Sequence, residues 1–231
     1  TQTSMTGGPM DYRRWARHLL LFTVALILIY AFCQLLPDKP LMQALSIGTA
    51  YTSLLYFAVT LSIGPVNLIR SRRNPLSSLL RRDLGIWSGI LALAHTITGL
   101  QVHFKGRLIQ YFIYPPDESH VLPFRTDPFG LTNYIGLISA LIMIALLCLS
   151  NNRSIRIMGA SSWKKWHRLA YVLVLAIPAH GLVYQLLEKR IGAYTMLLLA
   201  ISSVIVAVQI SGFLRFRRAR DSRSLTDSET A

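Results

Sequence analysis

The stretch WKKWHRLAYVLVLAIPAHGLVYQ, residues 163–185, decides how the chain is read. It opens on a basic, aromatic head (Trp163, Lys164, Lys165, Trp166, His167, Arg168) and becomes an apolar run with a second histidine, His180, well inside it. That run is long enough to enter a bilayer. An ionisable side chain in hydrocarbon is costly, so it faces the protein interior and marks a functional group. An imidazole at the depth of His180 needs a partner.

Working outward, the rest of the chain has the same character. Of its 231 residues 52% are hydrophobic and only 15% charged, which is the balance of a polytopic membrane protein. Six apolar segments approach the ~20 residues that span hydrocarbon: 19–36, 45–66, 84–104, 132–150, 166–187 and 191–214. The fold class expected is all-α, a six-helix transmembrane bundle over residues 17–214. A polar N-terminal tail (1–16) precedes it, and a charged, Ser-rich tail (215–231) expected to be disordered follows. The 105–131 connection contains YPPDESHVLPFRTDPFG and has too many prolines and acids to span anything. The first apolar run has no small-residue cleavage signature after it and reads as a retained helix.

The net charge of +14 would suggest nucleic acid in a soluble protein, but here its placement speaks against that. Eighteen of the 24 Lys and Arg lie in the N-terminal tail, the second and fourth connections and the C-terminal tail; six lie in the others. By the positive-inside rule both termini are cytoplasmic, the even number of spans agrees, and the basic runs meet anionic headgroups of an inner (plasma) membrane. Cys33 and Cys148 both fall in apolar segments and indicate neither a disulfide framework nor a thiolate metal site. None of the ten Asp and Glu lies at the centre of an expected span, which disfavours a proton-coupled or metal transporter.

The deep ionisable groups are therefore His95, in the third segment, and His180, in the fifth. His95 lies 13 residues beyond Arg82 and His180 lies 13 beyond His167. On two helices running outward from the cytoplasmic face, each is raised by about 20 Å at 1.5 Å per residue. Two neutral imidazoles level with one another on facing helices are what a six-coordinate haem iron requires. Gly85, Ser88, Gly89, Ala92, Thr96 and Gly99 give the third helix a smooth flank for a porphyrin, and Gly181 and Pro178 accompany His180. Small residues at this spacing also serve plain helix packing, and internal hydrogen bonds are the alternative account of the two histidines.

His167 sits at the cytoplasmic end of the fifth segment, about 140° from His180 on an ideal helix. Three readings are open: ligand to a second haem, hydrogen-bond partner of a propionate or a quinone, or interfacial residue. Arg82, Lys164, Lys165 and Arg168 satisfy the positive-inside pattern and are candidates to neutralise haem propionates. His18 stands on the first segment at the height a partner of His167 would need, but is read first as a headgroup-level residue. His103 and His120 lie at the outer surface and in the outer loop, where partner contact, a labile metal and simple solvation are all open. Trp163, Trp166, Tyr171 and Tyr184 read as interfacial anchors.

With RRDLGIWSGILALAH (81–95) and WKKWHRLAYVLVLAIPAHG (163–181) in hand, the chain resembles the ferric-reductase-like transmembrane domain family. That group includes the haem-binding membrane subunit of bacterial methionine sulfoxide reductase systems and, more distantly, NADPH oxidase membrane cores. The resemblance places His95, His167 and His180 at haem-ligand positions and implies a six-helix bundle that carries electrons across the membrane through b-type haem, one or two per chain. The oxidases have a second histidine on the third helix, where this chain has Arg81. No GxGxxG-type loop is present, so the expected donor is a separate flavoprotein (FMN or FAD) or the quinol pool, and the expected acceptor is a protein on the outer face. The function expected is thus a redox subunit, a membrane cytochrome b without its own flavin or nicotinamide domain. The alternative is a haem-free structural subunit scaffolding a larger complex.

Overall fold

The computed structural model describes residues 12–70, 75–116 and 120–229; the N-terminal decapeptide, Arg72 and Arg73 of the basic connection and the last two residues of the tail lie outside them. It is all-helical apart from one isolated bridge. The helices, in chain order, are α1 Tyr12–Gln34, α2 Leu41–Ile69, α3 Pro75–Gly99, α4 Pro128–Leu149, α5 Asn152–His167, α6 Ala170–Leu187 and α7 Ala193–Glu229. Five stretches are long and apolar enough to cross a membrane: α1, α2, α4, the α5–α6 run, and α7 to Arg220. The sixth expected span, α3, falls short on composition because Arg81, Arg82, Asp83 and His95 dilute its apolar residues.

Local chemistry sets the ends. The Asp127 carboxylate accepts from the Gly130 amide (3.0 Å) with Pro128 at the first helical position, so α4 starts where the acidic loop stops. Asn151 caps α5 in the same way through the Ser154 amide at 2.8 Å. Several boundaries depart from the apolar segments. The third helix starts at Pro75, inside the basic connection, and ends at Gly99 rather than at residue 104, because Arg and Lys are good helix formers once their heads reach water. The head of the opening stretch is not part of the helix that carries His180: α5 ends at His167, and α6 begins at Ala170. The 140° relation between His167 and His180 therefore does not apply. The C-terminal segment expected to be disordered continues α7 as helix to Glu229. The outer connection is ordered in part, by a 3-10 turn at Leu108–Tyr111 and a bridge between Ile113 and Phe124.

Helix α2 is the hub, packed against α1, α3 and α7, while α4 pairs with α6 and also touches α3. Apolar side chains gain nothing by leaving lipid for protein, so interhelical hydrogen bonds and close approaches decide the arrangement. Ser53 and Ser88 each donate to the other's carbonyl, at 2.9 and 3.1 Å, stapling α2 to α3. Tyr56 donates to the Leu21 carbonyl of α1 at 2.6 Å; Tyr51 donates to Tyr194, also at 2.6 Å, and Gln209 to Leu61 at 2.8 Å, tying α2 to α7. At Gly212 a Cβ would come within 2.6 Å of the Pro65 ring, so only glycine lets α7 approach α2 there. Leu26, Ile138, Leu175 and Val204 face outward, as a lipid-facing surface requires.

Asp83 is the one charge sealed inside this scaffold among the described residues. It has no exposed surface, and Arg17 of α1 reaches it at 2.6 Å, with Arg14 at 3.9 Å and His18 Nε2 at 3.6 Å. Trp87 donates to His18 Nδ1 at 3.1 Å, which leaves the Nε2 proton toward the carboxylate. Composition placed His18 at the headgroups; the fold makes it part of a clamp joining α1 to α3. Because an uncompensated buried charge is what makes a broken ion pair expensive, Arg17→Ala is expected to lower stability by about 3 kcal/mol, and Arg14→Ala by under about 1 kcal/mol. Denaturant or thermal unfolding of the two variants in detergent checks the ranking.

Candidate functional site

The centre of the bundle holds a cavity of about 380 Å³, walled mainly by apolar side chains of α2, α3, α4, α6 and α7. Ala92, Thr96 and Gly99 supply its α3 wall, Gly136 and Met143 its α4 wall. Two imidazoles enter it, His95 from α3 and His180 from α6, with ring centres 6.4 Å apart and planes crossed at 79°.

Each ring is aimed by a backbone carbonyl, and at His95 the Ser46 hydroxyl also approaches Nδ1, at 3.2 Å. His95 Nδ1 lies 2.9 Å from the carbonyl oxygen of Ser46, and His180 Nδ1 lies 2.9 Å from that of Thr132. A carbonyl only accepts, so Nδ1 carries the proton in both rings and Nε2 keeps its lone pair. This is how metal-binding histidines are held, with one nitrogen committed to an outer partner and the other offered as ligand. Gly136 makes the second arrangement possible, since a Cβ there would stand 2.6 Å from His180 Cε1 and 2.9 Å from Nδ1.

The spacing tests what the pair can hold. Two metal–imidazole bonds of roughly 2 Å, plus about 1 Å from each nitrogen to its ring centre, give about 6 Å, against the 6.4 Å observed. Among the described residues no group of three or more His, Cys, Asp or Glu is positioned to hold a metal ion. A metal between these imidazoles therefore takes its other ligands from a non-protein group, as iron does from the nitrogens of a porphyrin. The residues present fit haem.

The other expected site residues are elsewhere. His167 does not line the cavity; its Nδ1 lies 3.1 Å from the Trp163 carbonyl in its own helix and its ring sits on the Trp163 indole, centres 3.8 Å apart. Arg82 donates to the Asn152 side chain at 2.6 Å, and the Arg168 amide closes the end of α5 on the Lys165 carbonyl at 3.1 Å. Gly85, Ser88 and Gly89 serve helix packing: a Cβ at 85 meets Thr60, one at 89 meets Leu147, and Ser88 is in the staple to α2. Gly181 lets α6 approach Leu198 of α7, where a Cβ would be 2.9 Å from Cδ2.

Toward the α3–α4 connection the cavity meets residues that composition had not placed in it. Tyr184, read as an interfacial anchor, is inside, donating to Asn133 Oδ1 at 2.6 Å with its ring 5.0 Å from that of His180. The ring of His103 stacks on Tyr184 at 5.9 Å, and His103 Nε2 faces Glu188 at 3.3 Å. A run of rings thus leads from His180 through Tyr184 to His103. His120 stacks on Tyr114 in the outer loop, centres 3.6 Å apart, away from the cavity. The signal for Tyr184 was available in the sequence, because position 184 is one helical turn beyond His180 and shares its face.

A family model described as "Ferric reductase like transmembrane component" matches residues 46–178, more than half of the chain, reaching from the carbonyl partner of His95 to just short of His180. The chain is also similar to the protein-methionine-sulfoxide reductase heme-binding subunit MsrQ of Salmonella arizonae, at 27% identity over 174 residues covering 74% of this chain and 77% of that protein.

Burial holds His103 below the ordinary histidine pKa of 6.5, the Arg190 charge adds to this, and Glu188 opposes it. With the folded value lowered, the unfolded chain binds more protons below about pH 6.5, so this group's contribution is whole above that pH and is lost as pH falls from there through the lowered folded value. His103→Gln is expected to show a smaller drop in melting temperature between pH 7 and pH 5 than the wild type, measured in detergent.

Proposed function

This chain belongs to the ferric-reductase-like transmembrane family, and from that membership and the His95–His180 pair we propose that it is a membrane cytochrome b subunit holding one haem between the two imidazoles. The carrying observation is the geometry of the pair: crossed rings 6.4 Å apart, both with Nδ1 committed to a carbonyl. The similar protein is named a heme-binding subunit of a methionine sulfoxide reductase, which supports the same cofactor here.

Haem supplies one-electron carriage when bound, and the protein's part is to hold it at fixed depth. His95 and His180 would hold it as neutral nitrogen donors, and the mainly apolar walls of α2, α3 and α4 would limit the access of water to it. Tyr184 and His103 extend the aromatic surface from His180 to the outer end, the side from which an acceptor protein takes the electron. The donor acts at the cytoplasmic side and is a flavoprotein or a quinol. The charge distribution supports six spans in an inner membrane with both termini cytoplasmic. A single haem is favoured because, among the described residues, His167 does not line the cavity of the pair and its Nδ1 and ring contacts are to Trp163 of its own helix.

Purified protein is expected to show a reduced-minus-oxidised b-type spectrum with about one haem per chain. The spectrum should vanish in His95→Ala and His180→Ala and persist in His167→Ala. Gly136→Val, which drives a side chain into the His180 ring, should reduce haem content at least severalfold while leaving helix content unchanged. A colourless wild-type protein after expression with ample haem would leave the haem-free scaffold subunit as the reading.

A further inference from the structure

Where α6 ends, the backbone does something costly. Lys189 takes a left-handed conformation (φ 50°), which disfavours every side chain by about 1 kcal/mol relative to glycine. The amides of Lys189 and Arg190 turn back onto the carbonyls of Leu186 (3.1 Å) and Gln185 (2.8 Å), the paired closure that ends many helices and normally has glycine at the left-handed position. The Arg190 carbonyl is held from the other side by Thr195 Oγ1 at 3.2 Å. The chain is thus fixed on both sides of one residue, and that residue turns inward.

Arg190 lines the same cavity as His95 and His180. Its Nε and Nη1 are shielded from solvent and have no hydrogen-bond partner among the described residues. Buried guanidinium donors are expensive to leave unsatisfied, and Arg presents its donors as a planar fork that fits a carboxylate with two parallel bonds. Glu188, the nearest carboxylate in sequence, is engaged with His103. Seven helical residues separate His180 from the end of α6, so Arg190 enters the cavity from a backbone point about 10 Å or more beyond His180 along that helix.

We infer that Arg190 receives a carboxylate of the porphyrin at the outer end of the cavity, fixing the rotation of the ring about the His95–His180 axis. This rests on the haem reading above. It moves the carboxylate anchor away from Arg82, Lys164, Lys165 and Arg168, none of which lines the cavity. The carboxylate edge of the cofactor then points to the outer face, on the side where His103 and Tyr184 lie.

The test uses the full chain in detergent, stripped and reconstituted with haem or with haem dimethyl ester, whose carboxylates carry no charge. Dissociation of each to an excess of a haem-scavenging protein is followed by absorbance. Wild type is expected to release the ester about ten- to hundredfold faster than haem, the equivalent of one charge-assisted hydrogen-bonded pair. Arg190→Gln should release both at the faster rate, Arg190→Lys should restore part of the difference, and Lys189→Gly should keep it whole, because it loses the same charge while suiting the left-handed position. Equal rates for haem and ester in wild type, or an undiminished difference in Arg190→Gln, would overturn the assignment while leaving the axial pair intact. Failure of either porphyrin to give a bis-imidazole spectrum in wild type would instead remove the haem reading and this inference with it. Helical circular dichroism reports whether Arg190→Gln folds; if it does not, the wild-type comparison of haem and ester decides alone.

Discussion

Everything at the centre of this bundle depends on two hydrogen bonds from imidazole nitrogens to main-chain carbonyls, His95 to Ser46 and His180 to Thr132. Each removes one nitrogen of a ring from competition, fixes the tautomer and sets the direction of the remaining lone pair. In water such bonds would be exchangeable and weak. Within a largely apolar cavity few acceptors compete, and for His95 the second one in reach, the Ser46 hydroxyl at 3.2 Å, belongs to the same residue as the carbonyl, so the orientation is set before any cofactor arrives. The carbonyl partners sit on α2 and α4, the donors on α3 and α6; four helices therefore have to be in register for the pair to exist.

That register is held by polar contacts at helix crossings. The reciprocal Ser53–Ser88 staple sets the height of α3 against α2, two turns of helix from His95. The clamp around Asp83 sets α1 against the first half of α3. Tyr51 and Gln209 set α7 against α2, so the wall carrying Leu198 stands close behind Gly181. Deep packing in lipid has little hydrophobic drive of its own, so a handful of hydroxyls, one carboxylate and four or five glycines decide the geometry that the apolar mass then fills.

The site is also asymmetric. Toward the α4–α5 end of the bundle, His167 lies on its own tryptophan. The end toward the α3–α4 connection holds a group of polar residues: Gln185 hydrogen-bonded to Tyr51 at 3.3 Å, Tyr184 on Asn133, His103 on Glu188, and Arg190. The two ends of the bundle therefore differ in chemistry.

The sequence by itself determined the membrane character and the all-helical class, because a composition this apolar allows little else, and it singled out His95 and His180, because ionisable groups at depth are rare. It also carried the family resemblance in the two segments that bear them. It did not determine where helices start in basic stretches, since Arg and Lys continue a helix as readily as they end a span; hence α3 beginning at Pro75 and α7 running on past residue 214. Only the tertiary structure decided that the head bearing His167 belongs to a separate helix, that Asp83 and His18 are joined by burial, and that Tyr184 and Arg190 turn into the cavity. Those outcomes follow from which faces meet across helices distant in the chain, and periodicity along one segment carries no record of what stands opposite it.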